Sequence, residues 1–175
     1  MTAGRRGPVS LALLFVVVSA GSSAGCSALA PSDYRLSITT DKDQYAVNEL
    51  IIAFGELTYL GSQPTVDIQY LDLPGGPIMF GVRQVGGSID AAPEPHAMCS
   101  GTQLERGQPL RVPFTKFGGR NNADPNAAFY ESHFKDPELH LPAGQWEVYA
   151  MIDLGGKGCE GPTAAISART RISVN

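Results

Sequence analysis

The sequence is short of almost everything that a catalytic or nucleic-acid-binding chain displays. Charged residues fill 17% of its 175 positions, and no basic run is longer than the pair Arg5-Arg6. Affinity for a phosphate backbone comes from clustered Lys and Arg, so nucleic acid is excluded as a partner. H-E-x-x-H is absent, and so is the twelve-residue calcium-loop pattern. Cysteine is scarce and odd in number, with only Cys26, Cys99 and Cys159. Three thiols cannot build a disulfide framework, and an odd one needs its own explanation. Long apolar runs are missing as well: Val9 to Ala20 spans about a dozen residues, too short to cross a bilayer as a mature helix.

What is there begins with an address. Arg5 and Arg6, the Val9 to Ala20 run and a tail of small residues form a secretory signal over residues 1–25. The residues after Arg5-Arg6 fit a twin-arginine signal poorly. Ser23-Ala24-Gly25-Cys26 resembles the lipobox of bacterial lipoproteins, with Ser23 where Leu is commonest. The resemblance implies a lipid on Cys26, residues 26–33 as a tether and the membrane as a partner. The rival is Ala28-Leu29-Ala30, an A-x-A site that would release a soluble chain. The cysteine count favours the first, since lipidating Cys26 leaves Cys99 and Cys159 to pair in an oxidising compartment. Two buried free thiols are the alternative. Loss of Arg5 and Arg6 takes the formal charge from −4 to about −6.

The remaining 150 or so residues suit one domain with one core. Tyr34, Leu36 and Ile38 alternate with polar neighbours, as do Val66, Ile68 and Tyr70, and Leu110, Val112 and Phe114. Period-2 alternation predicts half-buried strands. Leu50 to Leu60 and Ile78 to Val85 read as interior strands, and Gly86 to Gly107 as one long loop holding Cys99. Pro109 and Pro113 push the strand between them to a sheet edge. Asp124 before Pro125 predicts a short helix to Phe134. The clearest alternation, Trp146 to Leu154 and Ile166 to Val174, predicts a closing hairpin. About seven strands and one helix in a loop predict an all-β fold, a two-sheet antiparallel β-sandwich over residues 34–175.

Two stretches carry a resemblance to bacterial immunoglobulin-like domains. Thr40-Asp41-Lys42-Asp43-Gln44-Tyr45-Ala46-Val47-Asn48-Glu49-Leu50 is similar to their first strand-to-strand corner, with Asn48 in the place of Gly. Leu141-Pro142-Ala143-Gly144-Gln145-Trp146 is similar to the corner before their penultimate strand. The resemblance implies an immunoglobulin-like sandwich and no particular activity.

Chemistry-bearing clusters are sparse. His133 and His140, with Glu131, Asp136, Glu138 and Glu160, are zinc-ligand types without an established spacing. His96 and Met98, with Met79 and Met151 more distant, suit copper. Asn121, Asn122, Asp124 and Asn126 offer oxygen ligands for calcium, although Asp124 already has a helix to cap. Asp67, Asp72 and Glu56 are carboxylates that a sandwich could present for glycoside hydrolysis. Gly86-Gly87-Ser88-Ile89-Asp90 is not a nucleophile elbow. No catalytic residue and no cofactor follows from these. The expectation is an exported, lipid-anchored envelope protein, facing the extracytoplasmic side, that binds a protein or envelope ligand and is not an enzyme. Phe117, Phe129 and Tyr130 are the expected exposed contacts; metal binding at His96, Met98, His133 and His140, or hydrolysis, are the rival functions.

Overall fold

The computed structural model describes residues 31–71, 76–94, 98–118, 123–155, 159 and 162–175. The signal stretch with Cys26 lies outside the described residues, as do Asp72, His96, Asn121, Asn122 and Glu160.

Alternation becomes strand along most of the chain. After a 3-10 turn at Pro31–Asp33, β1 (Tyr34–Thr40) buries Tyr34, Leu36 and Ile38 and leaves Arg35 in water. It pairs along its whole length with β3 (Ala53–Tyr59), which in turn pairs with β8 (Pro109–Pro113), giving a three-stranded sheet with β8 at its edge. Edge position is what the two prolines require, because they have no N–H to give a further neighbour.

The second sheet is organised by the hairpin of β9 (Gly144–Gly155) and β10 (Pro162–Val174), paired from Gly144↔Val174 to Pro162↔Gly155. The far side of β9 serves two partners in succession. Its Trp146 to Met151 stretch pairs with β5 (Met79–Gln84), and Leu154 and Gly155 pair with β4 (Thr65–Leu71). The two-residue β6 (Asp90–Ala91) continues outward from β5, and β7 (Cys99–Glu105) from β4. The two-residue β2 (Gln44–Tyr45) lies on β10, the one parallel pairing between these strands.

The inward alternates of the two sheets meet as a β-sandwich. Trp146, Val148, Ala150, Ile152 and Leu154 are all 0% exposed and face a layer containing Leu36, Ile38 and Leu57. Each of the Val, Leu and Ile side chains among them stabilises the fold by roughly 1.5–3 kcal/mol through removal of apolar surface from water. The sheets approach closely at Gly55, where a Cβ would stand only 3.0 Å from Ile78 and Phe80. Glycine is the residue that permits that spacing.

The Asp41 to Glu49 corner has a local explanation. Tyr45 Oη donates to Asp41 Oδ1 (2.6 Å), and the same oxygen accepts the Ile52 N–H (3.1 Å). Lys42 pairs with Glu49, whose other oxygen accepts the Ala46 N–H (2.8 Å). Asn48 has φ 62°, the left-handed geometry that Asn tolerates better than most residues.

Three expectations need correction. The Leu50 to Leu60 run becomes strand only at Ala53; Leu50 and Ile52 are 41% and 44% exposed, and Asp41 holds the Ile52 backbone outside the sheet. The Gly86 to Gly107 stretch is not one loop, since it contains β6 and β7. An edge strand with a single buried residue, Leu104, has no apolar period to read. Counting β2, β6 and β7, the described strands number ten, not about seven. The helix α1 (Ala127–Lys135) begins two residues after Pro125, while Asp124 Oδ1 accepts the Asn126 N–H (2.7 Å) at its entry.

Candidate ligand-binding groove

β5, β9 and β10 are neighbours, so their outward alternates fall into rows across the sheet. Arg83, Glu147 and Arg171 make one row; Gly81, Tyr149 and Arg169 the next; Met79, Met151 and Ser167 the third. Between these rows lies an open groove of about 460 Å³, lined by Arg83, Glu147, Tyr149, Met151, Ser167 and Arg169. That volume falls in the ordinary range for a small-ligand site.

Glu147 belongs to the outward face yet is only 7% exposed. Arg171 donates to its Oε1 through Nε (3.2 Å) and Nη2 (3.1 Å), and Arg169 Nη1 stands 3.9 Å from its Oε2. Arg83 turns toward β6 and places Nε 2.9 Å and Nη2 2.8 Å from Asp90 Oδ2. Tyr149 Oη donates to Asp90 Oδ1 (3.0 Å). Burial, with the Asp90 carboxylate beside it, pushes the Tyr149 phenol well above its ordinary range, so it remains a donor at neutral pH. Its ring crosses Gly81, where a Cβ would stand 2.3 Å away. Both carboxylates therefore have guanidinium or phenol partners, while the three guanidiniums, each with five donors, keep most of theirs facing solvent.

The sequence-predicted residues lie elsewhere. Phe129 and Tyr130 are not exposed contacts: Phe129 stacks on Trp146 (centroids 5.7 Å), and Tyr130 is buried with its Oη accepting the Asp90 N–H (3.2 Å). A short helix on a sandwich must bury its aromatic stripe, and these two residues are that stripe. Phe117 is half-buried. Met98 is exposed beside the disulfide that joins Cys99 to Cys159.

His133 is not a surface histidine. It is buried, with its ring 5.2 Å from that of Phe129 and 5.1 Å from that of Phe134, and its Nδ1 has no partner. Burial, with Lys116 nearby and Asp136 opposing, pushes its pKa down to about 3. A lowered folded pKa means that stability is complete above the unfolded value of 6.5 and is lost as pH falls toward the folded one. At pH 5 the loss from this residue is expected to be about 2 kcal/mol relative to neutral pH. Urea unfolding of the native chain and of His133→Leu at both pH values checks this. A variant that loses as much stability as the native chain would place the acid sensitivity in another group.

Asp136, Glu138 and His140 offer ligand atoms within 4.8 Å of one another, and His133 is not among them. They do not converge on one point. His140 Nδ1 is 3.1 Å from Asp136 Oδ2, whereas its other nitrogen, Nε2, is 3.6 Å from Glu138 Oε2. The Lys116 ammonium donates to the backbone carbonyls of Asp136 (3.0 Å) and Glu138, adding a positive charge to the same segment. The hydrolytic carboxylates are also separated. Glu56 pairs with Arg111 on one sheet (3.5 Å), and Asp67 accepts from Gln103 on the other (3.0 Å).

Sequence reading missed the groove. Its arginines are spread over positions 83, 169 and 171, and only the register of three strands unites them. The string Gly156-Lys157-Gly158-Cys159-Glu160-Gly161 has the glycine spacing of a dinucleotide fingerprint. It joins two antiparallel strands, β9 and β10, and does not lead from a strand into a helix as that fingerprint requires.

The fold and groove define an all-β sandwich with a side-chain-lined trough on one outer face. No family model matches the chain, and comparison with curated proteins finds no match. Among solved structures, it is similar to the sporulation control protein Spo0M from Bacillus subtilis, with 15% identity and a TM-score of 0.41 over 82% of this chain and 49% of that one. The chain thus spans about half the length of Spo0M, and this likeness carries no argument about function. Among the described residues, no helix is long and apolar enough to cross a membrane.

Proposed function

We propose that this protein is an exported lipoprotein of the cell envelope that acts as a non-enzymatic binding module and takes its ligand in the groove of β5, β9 and β10. The binding reading rests on the unspent guanidinium donors of Arg83 and Arg169, which line that groove. A hydrolase would need a carboxyl aimed into the groove as acid or base, and Glu147 and Asp90 are instead engaged with arginine and tyrosine. The address is supported by the disulfide, which uses two of the three cysteines and leaves Cys26, in its small-residue context, as the one for a lipid. A single acyl chain binds membranes only marginally, so the reading includes the several chains usual in lipoproteins.

Intact mass of the chain from a bacterial membrane fraction tests the address. The expected result is a mature chain beginning at Cys26 with added acyl mass, together with loss of nearly all the protein from that fraction in Cys26→Ala. A mature chain beginning at Pro31 without added mass would make this a released, soluble protein.

A further inference from the structure

The groove carries a statement about ligand class, which rests on the binding reading above. We propose that it binds a carboxylated sugar unit of an acidic polysaccharide, with Arg169 as the residue that contacts the carboxylate.

The charge of the groove is set against that of the chain. Two guanidiniums, Arg83 and Arg169, and one carboxylate, Glu147, line the groove, with Arg171 and Asp90 paired beside them, in a protein whose formal charge is −4. Their engagement is uneven. Arg171 and Arg83 each direct two donors at a carboxylate, whereas Arg169 has one long contact of 3.9 Å. Glu147, sunk between the rows, orients the β10 arginines and is a positioning residue. A guanidinium presents its N–H groups as a planar fork that matches a carboxylate, so the least engaged of the three is the one that meets the ligand.

The rest of the groove argues for a sugar over a peptide. An extended peptide is captured chiefly by main-chain hydrogen bonds to a sheet edge. The groove lies over the face of β9, whose backbone is paired to β5 on one side and to β10 on the other, so a ligand in it meets no free main-chain edge. Recognition falls to side chains alone: the Ser167 hydroxyl, the guanidiniums, and the Met151 and Tyr149 side chains as an apolar floor. A hydroxyl-rich ring bearing one carboxylate satisfies each of these groups. The trough is open to solvent, so the unit could lie within a longer polymer.

The test is calorimetric titration of the full chain, purified in detergent, with an oligogalacturonate and with its methyl ester, which has the same body without the charge. The acid should bind and the ester should bind at least about tenfold more weakly, in line with loss of a charge-assisted contact. Arg169→Gln, at an exposed side chain, should weaken the acid by a similar factor, and Ser167→Trp should abolish binding by filling the trough. Equal binding of acid and ester, unaffected by Arg169→Gln but lost in Ser167→Trp, would overturn the carboxylate assignment and leave the groove reading standing. Acid binding that survives Ser167→Trp would overturn both. If neither oligosaccharide binds but a polyglutamate peptide does, with the same dependence on Arg169, the sugar assignment is overturned and a carboxylate site for protein takes its place.

Discussion

Replacing Cys99 and Cys159 together by serine is expected to lower the unfolding free energy by about 4 kcal/mol. The two residues are separated by 60 positions, and closing a loop of that size removes much of the freedom of the unfolded chain. The place of the bond matters as well as its loop. Cys99 opens β7 and pairs with Leu71 of β4, while Cys159 lies in the connection between β9 and β10. The crosslink ties the outer β4 and β7 pair to the central hairpin, where the ladder of β4 with β9, among the described residues, consists of Gln69↔Gly155 and Tyr70↔Leu154. A domain of this size has about 5–15 kcal/mol in all, so the reduced form should sit near the edge of stability. Urea unfolding of the native chain with and without reductant, and of the double variant, measures the difference. A loss below about 1 kcal/mol would mean that the reduced, unfolded chain already keeps these segments together.

Trp146→Ala should be nearly as damaging, at about 3–5 kcal/mol, because truncating a fully buried indole leaves a cavity as well as lost transfer energy. Trp146 is 0% exposed and joins three parts of the molecule. It is the third residue of β9, its Nε1 donates to the Pro142 carbonyl (2.9 Å) in the corner before that strand, and its ring stacks on Phe129 of α1. Loss of the ring therefore loosens the corner and undocks the helix together. Trp146→Phe keeps most of the apolar volume but cannot donate to Pro142, so it should cost less, with the missing bond contributing about 1 kcal/mol. Unfolding midpoints for the two variants give the comparison. Equal losses would place the energy of this residue in the hydrogen bond and not in packing.

The parts of the fold that were legible in advance share one property: each buries alternate residues of a single segment. β1, β4, β9 and β10 show that period directly, and the Asp41 to Glu49 corner shows its capping side chains within nine positions. β7 was hidden because its polar side chains carry no period, and α1 was found by its entry signal and not by its faces. Phe129 and Tyr130 read as exposed contacts, and the enclosure of His133 has no sequence signal, because a nine-residue helix does not announce which sheet it will cover.

By itself, then, the sequence determined the strands of the central hairpin, the corner and the edge position of β8. These follow from local rules: side-chain period, turn-capping side chains and proline's missing donor. Only the tertiary structure decided that Arg83 and Arg169 share a groove, that Glu147 lies buried between them on an outer face, and that His133 is enclosed by aromatic rings. The physical reason is strand register. A pairing shift of one residue would send Arg83, Glu147 and Arg169 to the other side of their sheet, and register is settled by the whole core at once.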